Sequence, residues 1–150
     1  MNNKIIGNIC SYKRTNQLIK TLDSIYEQFD VINLFLNDFA DEFYDFFFRK
    51  KINLHLTNND LGDGYKFNCL NESNGYFFTL DDDLIYPPNY VSYMINKIEQ
   101  YNKEKIITLH GRSFIEFPIK SYYNTKSIRK HFLEENLTDE IVQVGGTGVT

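Results

Sequence analysis

The sequence predicts an α/β fold with a mainly parallel central sheet covered by helices on both faces. Two observations predict it. Apolar strand-type segments alternate with segments of helical period, the pattern that sets parallel strands between crossover helices. Acid and amide residues also gather where four strand-type segments stop, at the edge where open parallel sheets bind ligands. At 150 residues, with no internal repeat, linker or low-complexity stretch, the chain reads as a single domain over 1–150.

The elements follow in order. Lys4 to Cys10 is a short buried strand. Leu18, Ile19, Leu22, Ile25, Tyr26 and Phe29 recur at intervals of three and four, which predicts a helix over 16–29 with Thr15 as its N-cap. Val31 to Leu36 is a second strand ending at Asn37-Asp38, and the aromatic-rich stretch Asp41 to Arg49 a second helix. Ile52, Leu54 and Leu56 alternate with polar residues as a third strand, which runs into Thr57-Asn58-Asn59-Asp60. Gly62 and Gly64 precede a short helix through about Asn71. Gly75 to Leu80 is a fourth strand leading directly into Asp81-Asp82-Asp83. Pro88 suits the first turn of a helix through Lys103, and Ile106 to Leu109 is a fifth strand. Beyond it the pattern predicts an extended hairpin over 112–123 and a short helix over 127–135. A last strand through Ile141, Val142 and Val144 ends at Gly145-Gly146-Thr147-Gly148.

Composition narrows the function. A net charge of -4 argues against a nucleic-acid-coating domain, which needs a basic surface, but allows one small anionic ligand. Cys10 and Cys69 have neither zinc-ligand spacing nor a secreted-scaffold pattern and read as buried thiols. No signal peptide and no apolar run of membrane-spanning length is visible, so the expectation is a cytoplasmic protein without a transmembrane segment.

Chemistry is therefore sought at the strand ends: Ser11, Tyr12 and Arg14, then Asn37 and Asp38, then Asn58 to Asp60, then Asp81 to Asp83. An acidic triplet alone is more often a solvated turn. Here an apolar strand delivers it to the sheet edge, and in extended chain Asp81 and Asp83 share a face while Asp82 points away. Two close carboxylates repel unless one is protonated or a cation joins them. Mg²⁺ and Mn²⁺ take oxygen ligands, and Mg²⁺ shares its shell readily with substrate phosphates.

The segment Thr79-Leu80-Asp81-Asp82-Asp83-Leu84-Ile85-Tyr86-Pro87-Pro88 resembles the DxD stretch of GT-A-fold glycosyltransferases of the family 2-like group. Ser11-Tyr12-Lys13-Arg14 resembles that group's first-strand turn, Asn37-Asp38 its base-contacting position, and Asn59 through Phe67 the stretch that closes over the nucleotide. The resemblance implies a Rossmann-like three-layer α/β/α domain that binds a UDP- or GDP-sugar and passes the sugar, with inversion, to a glycan or other hydroxyl acceptor. It implies donor contacts from Ser11, Tyr12, Arg14, Asp38, Asn59, Lys66, Asp81 and Asp82, and an Mn²⁺ or Mg²⁺ ion on Asp83 and Asp81. It places Gly146 and Thr147 on the acceptor or sugar side; His110, at the end of the fifth strand, is a candidate for the same side, although a hydrogen-bonded structural role suits it better. The group's general base follows the glycine-rich strand, so it is expected beyond Thr150, with this chain the N-terminal portion of a longer enzyme. The alternative is a catalytically incomplete sugar-nucleotide-binding or assembly module. A nucleotidyltransferase would want a glycine-rich, lysine-bearing loop after the first strand, and a haloacid-dehalogenase-type phosphatase would carry its acid pair there.

Overall fold

The computed structural model describes residues 3–39, 45, 47–70, 74–131, 138–146, 148 and 149. Strand β1 (Lys4–Tyr12) is central, flanked by β2 (Val31–Asn37) and β4 (Gly75–Leu80), with β3 (Ile52–Thr57) beyond β2. These four strands are mutually parallel. Burial on both faces suits the largely apolar β2, whose Asn33 and Asn37 are buried with it, whereas β3, at the sheet edge, is only half-buried and leaves Leu56 exposed. Beyond β4 lie β9 (Gly148–Val149), antiparallel to it, and then β5 (Ile107–Thr108).

Two α-helices, α1 (Thr15–Ile25) and α2 (Tyr90–Gln100), contribute to one apolar core. Leu18, Leu22 and Ile25 of α1 and Tyr90, Met94 and Ile98 of α2 pack with Ile9, Ile32, Leu34, Leu36, Phe78 and Leu80, residues of one sheet face. Phe78 joins the layers: its ring meets Phe29 edge-on at 5.2 Å and Tyr90 at 6.0 Å. Gly7 admits this packing, because a Cβ there would lie 3.1 Å from the Phe29 ring.

The opposite face is covered differently from the expected three-layer arrangement. Among the described residues both α-helices lie on the Phe78 face, and a 3₁₀ helix, Gly62–Phe67, crosses the other. Tyr65 of that turn stacks on Phe35, and the Cys10 thiol donates to the Gly62 carbonyl at 3.1 Å. That face also carries a polar ladder across three strands. Asn53 donates to Asn33 (3.1 Å), Asn33 to Asn8 (2.9 Å), and Asn8 to the Phe78 carbonyl (3.2 Å). The register Asn8↔Asn33↔Asn53 puts these amides side by side, so each buried one finds its partner.

Other expectations need correction. The cap of α1 is Arg14, with no side-chain capping bond, because β1 runs on to Tyr12 and Lys13 turns with φ 56°. The helix itself stops at Ile25 and a 3₁₀ turn, Tyr26–Gln28, completes the segment. Pro87 and Pro88 precede α2, which begins at Tyr90 and ends at Gln100, before Asn102 and Lys103 with positive φ. Most of the expected 41–49 helix lies outside the described residues. The hairpin arms are β6 (Gly111–Phe114) and β7 (Ser127–Lys130), so 127–130 is strand, not helix, and 132–137 lie outside the described residues. The expected last strand divides. Strand β8 (Val144–Gly145) joins β6 and β7 in a second sheet, while β9 enters the first. No helix among the described residues is long and apolar enough to cross a membrane.

Candidate functional site

Parallel pairing carries the ends of β1, β2, β3 and β4 to one edge, and a cavity of about 380 Å³ opens there. Its lining includes Ser11, Tyr12 and Arg14 from the end of β1 and the turn after it, Asn37 from β2, and Asn59 from the β3 turn. Asp63 and Lys66 come from the 3₁₀ helix, and Asp81, Asp82 and Asp83 follow β4.

The acidic triplet is held from beneath. Strand β4 stops at Leu80, so the three aspartates sit in a turn and the alternation of extended chain does not extend to them. Thr21, buried in α1, donates its hydroxyl to the backbone carbonyls of Asp82 and Leu84, both at 2.9 Å. The buried Tyr86 hydroxyl accepts the Asp81 N–H at 2.9 Å, and Ser24 Oγ accepts the Tyr86 N–H at 3.1 Å. Core elements thus aim the acids.

Each acid then meets a different partner. Asp81 accepts from Lys66 Nζ at 2.7 Å, and Asp83 accepts from Arg14 at 3.0 Å. Asp82, expected to point away, turns inward: Ser11 Oγ donates to it at 2.5 Å and Arg14 at 3.2 Å. Lys66 is buried and also pairs with Asp63 at 2.9 Å. Burial opposes the ammonium charge, but Asp81 and Asp63 outweigh it and raise the Lys66 pKa above the usual lysine value. Four carboxylates and two cations line the cavity, an excess of two negative charges.

The donor set suits a divalent ion of a particular kind. Among the described residues no group of three or more His, Cys, Asp or Glu side chains converges as a closed metal cage. Asp81 and Asp83 would instead supply one carboxylate each, which fits an oxygen-loving cation that completes its shell with water and ligand phosphates. The charge excess at the cavity matches that cation's charge.

The sequence matches no known protein-family model and no curated protein.

Several expected residues stand elsewhere. Asp38 does not line the cavity, because the chain turns there with φ 52° and its N–H donates to the Thr57 carbonyl; its neighbour Asn37 lines the cavity instead. Asn37 donates to Cys10 Sγ (3.0 Å), Asn59 (3.0 Å) and the Gly62 carbonyl (3.2 Å), knitting three turns together. His110 and Gly146 lie against each other rather than on the cavity. The Gly146 N–H donates to the His110 carbonyl at 3.1 Å, and a Cβ on Gly146 would overlap the imidazole. Thr147 lies outside the described residues. Sequence reasoning missed Asp63, Cys10, Thr21 and Tyr86 as parts of the site. Asp63 had a visible signal, a carboxylate between two glycines of a turn, whereas Thr21 and Tyr86 act only through contacts 61 and 5 residues away.

Burial raises the Asp82 carboxyl above its ordinary value; the Ser11 hydrogen bond and the Arg14 charge oppose that without cancelling it. The native state therefore binds this proton more tightly than the unfolded chain. The resulting stabilisation is fully present below the unfolded carboxylate pKa and is lost as pH rises through the raised native value. Once ionised, Asp82 is thus held against a desolvation cost. Asp82→Asn is expected to leave urea stability at neutral pH equal to or above that of the parent. Diphosphate affinity in EDTA should rise, because Arg14 is released from a charged acceptor and the cavity loses a negative charge. A marked loss of stability with unchanged affinity would make Asp82 a purely structural residue.

Burial, helped by the Asp63 charge, pushes the Cys10 thiol up to about 11. Few thiolates exist at pH 7, so Cys10 is expected to label slowly with iodoacetamide in the native protein and faster as pH approaches that value. Mass spectrometry of the labelled peptide measures this, and neutral-pH labelling at the unfolded-chain rate would contradict it.

Proposed function

We propose that the strand-end cavity binds a nucleotide-diphospho-sugar together with Mn²⁺ or Mg²⁺, and that the domain is the donor-binding part of a GT-A-type glycosyltransferase. One observation carries the reading. Asp81 and Asp83, both lining the cavity, stand at the carboxyl edge of four parallel strands with Arg14, Lys66, Ser11 and Asn59 around them. That edge is where open α/β sheets take nucleotides.

In this reading Asp81 and Asp83 hold the ion, and Arg14 and Lys66 meet the diphosphate charge. Asn37, Asn59 and Tyr12 form the wall that receives the nucleoside. A divalent cation on the diphosphate supplies charge neutralisation as the nucleoside diphosphate departs. The protein's own contribution is preorganisation: Thr21 and Tyr86 hold the acidic turn in place before the ligand arrives. Transfer to a hydroxyl acceptor follows from the resemblance, with inversion if the family 2-like pattern holds.

A second reading has its own support. Lys66 and Arg14 already neutralise Asp81 and Asp83, so the cavity can act as a binding module that engages a diphosphate through cations alone. Titration calorimetry with UDP- and GDP-sugars, in Mn²⁺ and in EDTA, separates the two. Binding that requires Mn²⁺ supports the first reading, and equal binding in EDTA supports the second. No binding to any of these ligands in either condition would overturn both.

A further inference from the structure

The connection between β6 and β7 exposes an unusual set of side chains. Phe117 is 66% exposed and Tyr123 80% exposed, and Ile115, Ile119 and Ile128 project beside them in sequence. Isolated exposed apolar residues need no explanation, but six within fourteen positions, Tyr122 among them, are a concentration that does. They cannot simply fold inward, because the loop is tied to itself. The buried Thr125 hydroxyl accepts the N–H groups of Lys120 (2.9 Å) and Ser121 (3.1 Å), and the Ile115 N–H donates to the Lys126 carbonyl at 3.0 Å. At its base the Arg112 guanidinium lies 3.9 Å from the centre of the Tyr122 ring.

Charge marks the same region. Residues 111–131 carry five Lys and Arg against one Glu, a local charge of +4 in a chain of net charge -4, so the remainder sums to -8. Lys126 and Arg129 are exposed and enter no ion pair among the described residues, and Lys120 meets only Glu116, at 4.0 Å.

We infer that this hairpin is a docking surface for an anionic lipid bilayer. Aromatic and aliphatic side chains entering the interface, with lysine and arginine heads beside them at the lipid charges, are the combination that holds peripheral proteins to membranes. The acidic remainder of the domain is repelled by the same lipids, which orients the hairpin toward them. A second copy fits less well, since an isologous contact brings two hairpins of like charge together. Single-stranded nucleic acid also fits less well, since isoleucines offer bases no stacking face. The inference does not depend on what the strand-end cavity binds.

Co-sedimentation with vesicles of phosphatidylcholine alone, and of equimolar phosphatidylcholine and phosphatidylglycerol, tests it. Binding is expected only to the anionic vesicles and should weaken as salt rises. Replacing Lys120, Lys126 and Arg129 together by Gln should lower partitioning by on the order of a hundredfold. Phe117→Ser combined with Ile119→Ser should lower it by about tenfold or more, through separate side chains. Absence of binding to the anionic vesicles overturns the proposal, as does binding that neither variant weakens. A self-association lost in the same variants, or capture of single-stranded RNA without vesicle binding, would assign the surface elsewhere and equally overturn it.

Discussion

Asp83→Ala is expected to abolish metal-dependent binding of the nucleotide-diphospho-sugar while leaving the fold intact. The side chain is 49% exposed and its pairing is with Arg14, itself 53% exposed, so the pair contributes about 1 kcal/mol or less. Loss of an exposed carboxylate of this kind shifts stability by roughly 0.5 kcal/mol or less. Binding responds differently, because Asp81 and Asp83 are the whole protein contribution to the proposed ion. Removing one should weaken Mn²⁺-dependent affinity by on the order of a hundredfold or more. The same change releases the Arg14 guanidinium from Asp83. If the cavity engages phosphate through cations alone, affinity in EDTA should then rise. Calorimetry in Mn²⁺ and in EDTA reads both effects, and metal-dependent affinity equal to the parent's would remove Asp83 from the site.

The largest expected loss of stability is that of Phe78→Ala, about 3–5 kcal/mol, the range for deleting a fully buried aromatic. Phe78 is inaccessible to solvent and stands where both helices meet the sheet, touching Phe29 and Tyr90. The hole cannot close easily, because the Phe29 ring already rests against Gly7 and its position depends on Phe78. Urea denaturation followed by far-ultraviolet circular dichroism measures the change. A cost under about 1 kcal/mol would show that the three-way packing is dispensable. The substitution should also weaken ligand binding, since Phe78 lies three residues before Asp81 and Tyr90 packs on the Tyr86 ring at 4.7 Å.

The parallel half of the sheet was legible because its strands are short, apolar and punctuated. Gly75 to Leu80 was bounded correctly from both sides, by a glycine at one end and three carboxylates at the other. The helix α1 was legible from the spacing of Leu18, Leu22 and Ile25, all fully buried. Its cap was not, because Arg14 is drawn to Asp82 and Asp83, 68 and 69 residues away. After Thr108 legibility failed for a similar reason. Strands of two to four residues carry too little periodicity to be read, and their pairing is set by partners distant in sequence.

Sequence alone therefore determined which residues reach the sheet edge, since strand ends and turn residues are local properties of the chain. It placed Ser11, Tyr12, Arg14, Asn37, Asn59 and the three aspartates there, and these line the cavity, whereas Asp38, Asn58 and Asp60 do not; Lys66 was expected only from the resemblance. Tertiary structure decided how they face one another. The inward turn of Asp82, the burial of Lys66 between Asp63 and Asp81, and the bracing of the acidic turn by Thr21 and Tyr86 all depend on packing between separate elements. Side-chain direction past the end of a strand is governed by the nearest partner rather than by the strand's period. For Asp81, Asp82 and Asp83 those partners come from β1, from the turn after it and from the 3₁₀ helix on the far face of the sheet.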